Sequence, residues 1–350
     1  MDNSSQRKIL RVSPACEIPQ LAGEITSALV GDGPTLGFGE ITSEFAAHYA
    51  AVVIGTSGSS GSPKEVALTA TALISSARAS NKFINAKPGE TWSLLLPLTH
   101  IAAVNVIIRA IELGTLPIDL RNHEGEYPKA NYTSIVPTQL SRALNGDVRL
   151  LSHLKSAKTV LVGGAALSQS LRNQAELAGI KVVTTYGMTE TCGGCVYDGE
   201  VLAGVEVEIR NGKINIRGPI LASSISLDAG WYETSDLGEF KNDKLIVLGR
   251  ADDVIISGGE NLSLNAVEAS LSAAFVDVEF AAFSIEDPQW GDSLQIAVVG
   301  TVSDEELVAR LESDLGSFAK PKGIHRLTSL PLLGIGKVDR KSLAKGVAHE

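Results

Sequence analysis

Short β-branched runs alternate with helical patterns through the first two thirds of the chain, and no other feature restricts the possible folds as much. The runs are Ala51-Val52-Val53-Ile54, Trp92-Ser93-Leu94-Leu95-Leu96, Ser134-Ile135-Val136, Thr159-Val160-Leu161-Val162 and Lys181-Val182-Val183-Thr184. Such alternation indicates an α/β architecture with substantial parallel sheet. One intervening helix has both ends marked, by Ser168 as N-cap and by Gly179 at its C-terminus. Near residue 205 the pattern changes to hairpins. Val205 to Arg210 and Lys213 to Arg217 flank Asn211-Gly212, whose tolerance of positive φ suits a type I′ turn. After Gly249-Arg250-Ala251-Asp252-Asp253 a smaller α+β pattern follows, with a helix near Ser263 to Ala274 and strands near Val278 to Ile285 and Leu294 to Val299. A further helix opens with the capping box Ser303-Asp304-Glu305-Glu306. A chain of 350 residues exceeds what one hydrophobic core usually serves. Two domains are therefore expected: a large mixed-sheet N-terminal one over 1–249 and a small C-terminal α+β one over 254–350, joined by a hinge at 250–253. The final dozen residues read as a frayed, polar end.

A net charge of −10 and a pI near 5.2 argue against nucleic-acid or anionic-membrane partners, which need a basic footprint. Cys16, Cys192 and Cys195 are too few for a disulfide framework and fit a reducing compartment. The N-terminus leads into no apolar run of signal-peptide length, so a cytoplasmic protein is expected. The most apolar stretch, Ile101 to Leu113, carries Arg109 and Glu112 and falls short of the roughly 20 residues a spanning helix needs; it predicts a buried helix.

The chemistry concentrates first in Thr56-Ser57-Gly58-Ser59-Ser60-Gly61-Ser62-Pro63-Lys64, directly after a strand. Small residues let backbone amides approach phosphate oxygens, hydroxyls add donors, and Lys64 adds a positive charge. It is not a Walker A loop, because Pro63 precedes the lysine and Glu65 follows it. Alone, such a turn is more often a flexible connection than a nucleotide site. Four further segments follow in order: Thr185-Tyr186-Gly187-Met188-Thr189-Glu190-Thr191, Tyr232-Glu233-Thr234-Ser235-Asp236-Leu237-Gly238, Gly249-Arg250-Ala251-Asp252-Asp253 with Ser257-Gly258-Gly259-Glu260-Asn261, and Gly336-Lys337-Val338-Asp339-Arg340. Singly, Tyr186 could be core, Glu190 and Asp236 solvated turn residues, and Arg250 and Lys337 surface charges.

Together the five segments resemble the acyl-adenylate-forming superfamily of acyl-CoA synthetases, luciferases and peptide-synthetase adenylation domains. The resemblance implies a ligase that takes ATP, Mg²⁺ and coenzyme A. It puts the loop from Thr56 to Lys64 on the β and γ phosphates, Tyr186 and Gly187 at the adenine side, Thr189 on the α-phosphate, Glu190 on Mg²⁺, and Asp236 and Arg250 on the ribose. It also implies a hinge at Asp252, a CoA-side loop at Gly258, Gly259 and Glu260, and an adenylation lysine at Lys337. About 55 residues precede the phosphate loop, where many relatives carry considerably more, so a reduced N-terminal subdomain is expected.

Pro97-Leu98-Thr99-His100 begins the family's substrate-side segment, and Arg109 follows nine residues after His100. An arginine on an apolar helix either needs a buried partner or reaches water at the helix end. The wider segment, Val162-Gly163-Gly164-Ala165-Ala166 as an adenine-side turn, and the stretch from Tyr186 to Cys195 resemble one subgroup, the o-succinylbenzoate CoA ligases of menaquinone biosynthesis. That resemblance implies that His100, Gly187 and Arg109 face the acid, with Arg109 on its second carboxylate. Cys192 and Cys195 form one Cys-x-x-Cys without a second pair, so they read as small pocket-lining residues rather than a zinc site. His48, His123, His153, His325 and His349 are scattered without metal spacing. Rival readings are a ligase for another aromatic or medium-chain acid, an adenylation domain that loads a carrier protein, and a non-catalytic nucleotide-binding regulator. The expected partners are small molecules, without nucleic acid or membrane insertion, and a homodimer is compatible with the sequence.

Overall fold

A computed structural model of the chain describes residues 6–56, 64–257, 260–275, 278–287, 291–332 and 338–347. Helix α1 (Ile18–Val30) carries β1 (Gln6–Arg11) over to β2 (Thr35–Phe38) in parallel, and β4 (Ala50–Thr56) continues that direction. β3 (Phe45–Ala47) closes one edge against β1, and β5 (Lys64–Thr69) turns back antiparallel on β4, giving the order β3-β1-β2-β4-β5. β2 is wholly buried, as an apolar strand covered on both faces must be.

After α2 (Ala70–Phe83) comes a second sheet of seven strands. Its parallel part alternates β6 (Trp92–Leu94), α3 (Ile101–Glu112), β7 (Ile118–Asp119), β8 (Tyr132–Ile135), α4 (Pro137–Leu144), α5 (Val148–Ser156), β9 (Thr159–Val162), α6 (Gln169–Leu177) and β10 (Val182–Met188). β11 (Gly193–Tyr197) and β12 (Glu200–Val201) then fold back antiparallel, completing the order β12-β11-β10-β9-β8-β6-β7. The β-branched runs thus became β4, β6, β8, β9 and β10. In α6, Ser168 accepts from the Leu171 amide and Gly179 takes φ +85°, as the two end signals require. α3 is the buried helix expected there.

A four-stranded antiparallel sheet follows, β13 (Glu206–Arg210), β14 (Lys213–Arg217), β15 (Tyr232–Lys241) and β16 (Lys244–Arg250). Asn211 and Gly212 adopt φ of 50° and 77°, the left-handed pair that a type I′ turn needs. Past residue 253 the hairpin β17 (Val254–Ser257) and β18 (Glu260–Ser263), α7 (Leu264–Ala274), β19 (Glu279–Asp287), β20 (Gly291–Val299), α8 (Asp304–Leu315), β21 (Gly323–Arg326) and α9 (Arg340–Val347) form a smaller α+β unit. The capping box at Ser303 and Glu306 is made in both directions. Among the described residues, no hydrophobic cluster joins side chains from before 250 with side chains from after 253.

One expectation fails. The final dozen residues are not simply frayed, because α9 occupies 340–347. Asp339 accepts from the Ser342 amide at 3.1 Å to start it, and Leu343 is buried against Ala281, Phe283 and Ala297. Among the described residues no helix is long and apolar enough to cross a membrane.

Candidate active site

Four of the chemically loaded segments converge where the first two sheets meet the third. Thr56 at the end of β4 pairs in register with Lys64 at the start of β5, and its hydroxyl donates to the Lys64 carbonyl at 3.0 Å. Of the loop between them, Ser57, Gly58, Ser59, Ser60 and Gly61 lie outside the described residues. The Lys64 ammonium stands 3.0 Å from Glu190 Oε1. Glu190 belongs to a one-turn 3₁₀ segment, Thr189–Thr191, that ends β10. Two contacts hold that turn: the Glu190 carbonyl accepts from Ala222 N at 2.8 Å, and Thr191 Oγ1 accepts from Met188 N at 2.9 Å. A lysine on one sheet and a carboxylate on another are thereby placed together beside Thr189.

The second half of the cleft is built on β10, β15 and β16. The Tyr186 hydroxyl donates to Asp236 Oδ2 at 2.7 Å, and burial, reinforced by that carboxylate, pushes the phenol well above its ordinary range. Asp236 is opposite Arg250 in the β15–β16 register, with Arg250 Nη1 at 3.7 Å from Asp236 Oδ1. Arg250 also makes a fork of two 2.7 Å bonds to Asp252, which raises its own pKa and holds the Asp252 carboxyl below the usual range. Gly163 closes against Tyr186's neighbour: a Cβ there would overlap Thr185 Oγ1, and Gly164 takes φ +84° beside the exposed Ala165. Gly187 passes so close to β11 that a Cβ would overlap the Gly193 carbonyl. Tyr232, which sequence reasoning did not single out, joins the halves. Burial first, then Glu190 and Asp236, push its hydroxyl up to about 12. A cleft of about 550 Å³ lined by Lys64, Ser224, Ser226, Trp231, Tyr232 and Glu233 opens beside it.

Of the residues expected on the acid side, His100 and Arg109 lie at the two ends of α3. His100 is the N-cap residue of α3 and Arg109 lies in its last turn, so they stand roughly 13 Å apart along the axis rather than side by side. Arg109 does not reach water: it is 4% exposed. Its Nη2 donates to the Tyr197 hydroxyl at 3.0 Å, its Nη1 to Ser134 Oγ at 3.3 Å, and its guanidinium lies 5.2 Å from the Trp92 ring centre. Among the described residues it has no carboxylate partner, and its Nε is buried without a hydrogen bond. Nearby Trp92 Nε1, Asn81 Oδ1 and Asn105 Oδ1 are also buried and unmatched within the protein. Ser134, Tyr197 and Trp92 come from three different strands, so no spacing could have announced them. Cys192 and Cys195 are core residues instead of pocket lining, at 0% and 1% exposed, and burial pushes both thiols far up.

Asp252 sits in the 3₁₀ turn Ala251–Asp253 that leads out of β16. Beyond it Glu260 opens β18, exposed and opposite Ser257, whereas Gly258 and Gly259 lie outside the described residues. Lys337 lies outside them too, in a stretch whose flanks meet at the bridge between Leu332 and Val338. Glu190, with one lysine as its partner, suits an ion such as Mg²⁺ that takes one or two carboxylates and completes its shell from phosphates and water.

The chain is similar to known proteins along most of its length. The profile of the family described as AMP-binding enzyme matches residues 20–218. A probable 2-succinylbenzoate–CoA ligase of Mycobacterium tuberculosis is 38% identical over 331 residues, covering 86% of this chain and 85% of the relative. A 2-succinylbenzoate–CoA ligase of Lactococcus lactis is 27% identical over 332 residues, covering 87% and 72%. Among solved structures, wild-type E. coli MenE with a bound m-phenylether-linked analogue of OSB-AMS superposes with a TM-score of 0.70 at 25% identity, covering 98% of this chain and 83% of that one. The o-succinylbenzoate CoA synthetase (MenE) of Bacillus subtilis in complex with OSB-AMP gives 0.72 at 24% identity, covering 92% and 80%, and shares the fold. On the profile match, the extended identity to the mycobacterial ligase and the shared fold, the chain belongs to the AMP-binding enzyme family.

Proposed function

We propose that this protein is an acid–thiol ligase that joins o-succinylbenzoate to coenzyme A in the cytoplasm. It works through an acyl-AMP intermediate, giving o-succinylbenzoyl-CoA, AMP and pyrophosphate as a step of menaquinone biosynthesis. The observation that carries the choice of acid is Arg109, a buried guanidinium without a carboxylate partner among the described residues. An unpaired buried charge is costly, and a substrate with a second carboxylate supplies the missing partner through charge-assisted hydrogen bonds. The M. tuberculosis relative carries the name of a ligase for this acid.

The remaining residues divide the work. Asp236, already accepting from Tyr186, accepts from ribose hydroxyls with Arg250 beside it, and Gly163, Gly164 and Ala165 flank the base with Tyr186. Thr189, Lys64 and the loop from Ser57 to Gly61 meet the phosphates. Glu190 would hold Mg²⁺ together with the nucleotide, and the ion would supply charge neutralisation as two anions approach. The acid's carboxylate attacks the α-phosphorus and pyrophosphate leaves, with Lys337 stabilising the charge that develops; the CoA thiol then attacks the acyl carbonyl and AMP leaves. His100 and Gly187 border the acid, and Gly258, Gly259 and Glu260 the thiol. Residues 1–249 form the ATP- and acid-binding domain and 254–350 the mobile one, turning about 250–253.

Acid-dependent pyrophosphate release with o-succinylbenzoate, followed by mass detection of its CoA thioester, tests the reading. Equal release with monocarboxylic aromatic acids removes the acid assignment, and release without a CoA thioester indicates carrier-protein loading instead.

A further inference from the structure

Arg340 opens α9 and occupies its guanidinium on every side. Nε donates to the Ala282 carbonyl in β19 at 2.8 Å, and Nη2 donates to Glu268 Oε1 at 2.9 Å and Asn265 Oδ1 at 3.4 Å, both in α7. Nη1 faces Asp253 Oδ2 in the hinge turn at 3.8 Å. Glu268 Oε1 also accepts from Ala282 N at 2.8 Å. One cation therefore ties α9, α7, β19 and the turn after Asp252 together. Burial pushes the Glu268 carboxyl up, against the pull of Arg340 and the Ala282 amide, and the Asp253 charge adds to the push. Without Arg340, two carboxylates would face each other with nothing between them.

The place of Arg340 in the chain gives the cluster its meaning. Val338 bridges Leu332, and Asp339 N donates to the Pro331 carbonyl at 2.9 Å, so both flanks of the stretch containing Lys337 are held at one point. Two residues after Val338 the chain is locked by Arg340. We propose that Arg340 is a positioning residue for the adenylation half-reaction: standing three residues after Lys337, it fixes the chain that follows Val338 against the turn at Asp253. Arginine suits this better than lysine, whose ammonium has no rigid fork with which to reach a carbonyl and two side chains on different elements at once. The proposal rests on the assignment of Lys337 to adenylation.

The test separates the half-reactions, following pyrophosphate release with acid and ATP, and thioester formation from supplied acyl-AMP and CoA, for Arg340→Gln, Arg340→Lys and Glu268→Gln. Arg340→Gln should lower kcat for adenylation at least about tenfold, the scale on which slight misplacement of a reacting group acts. KM for ATP and thioester formation should stay within about twofold, since Arg340 touches neither nucleotide nor thiol. Arg340→Lys should fall between, and Glu268→Gln, which keeps an oxygen to accept from Arg340, should retain most adenylation. Proportional loss of both half-reactions in Arg340→Gln and Arg340→Lys would make Arg340 a folding residue only and overturn the proposal, as would unchanged adenylation. If Lys337→Ala, run alongside, keeps full adenylation, the assignment beneath fails and the proposal falls with it.

Discussion

Arg109 has neutral hydrogen-bond partners on two of its nitrogens and none on the third, and an aromatic face beside it. A guanidinium in such surroundings discriminates by what it lacks: an acid with one carboxylate leaves it as it was, and an acid with two completes it. Arg109→Ala should therefore raise KM for o-succinylbenzoate roughly a hundredfold while barely moving KM for a benzoate-like acid, as charge-assisted bidentate recognition at a buried site implies. Steady-state kinetics on both acids decide this, and equal effects would sink the role. The residue itself stood out in the sequence as a charge on an apolar helix. Its setting did not, because Trp92, Ser134 and Tyr197 reach it from β6, β8 and β11, and strand order is what assembles them.

Between elements, Glu65 shows how the β4–β5 hairpin is held. One residue beyond Lys64 on β5, its Oε1 accepts from Thr42 N at 2.6 Å, Thr42 Oγ1 at 2.8 Å and Ser43 N at 3.0 Å. Burial pushes this carboxyl up, but the Ser43 and Thr42 donors outweigh it and bring it down to about 2 from 4.5. A folded value below the unfolded one stabilises the protein fully above the ordinary carboxylate range and loses that contribution as pH falls from about 4.5 toward 2. Glu65→Gln should cost on the order of 1 kcal/mol at pH 7, discounted for solvent exposure, and the Tm gap to the parent should close as pH drops through that window. A gap independent of pH would refute the account. Local signals of this kind were legible where backbone chemistry leaves little choice, as in Asn211-Gly212 and Ser303 to Glu306. They misled at the C-terminus, where α9 owes its order to Leu343 packing against β19 and β20, and local polarity cannot report that contact.

For the molecule as a whole, the hydrophobic cores of the described residues stop on either side of 250–253, and polar contacts run through that turn. Arg250 reaches back to Asp236 and forward to Asp252, while Asp253 faces Arg340. Asp252→Pro removes an amide hydrogen, fixes φ and breaks the fork to Arg250, so it should impair thioester formation more than adenylation; equal loss in separate half-reaction assays would argue against a hinge at this residue. Another contact of this reach is the pair formed by Lys64 and Glu190, which are 126 residues apart in sequence. If Lys64 meets phosphate and Glu190 meets Mg²⁺, as proposed, nucleotide arriving alone would take the lysine and leave a carboxylate facing phosphate, and a divalent ion arriving alone would take the carboxylate and strand the lysine. By reciprocity each ligand raises the other's affinity by the same factor. Calorimetry should find that Glu190→Gln brings the Kd values for ATP with and without Mg²⁺ together, and an undiminished difference would place the metal elsewhere. On the proposed reading, one ion pair between two sheets would act as a coincidence detector, favouring the metal–nucleotide complex over either component alone.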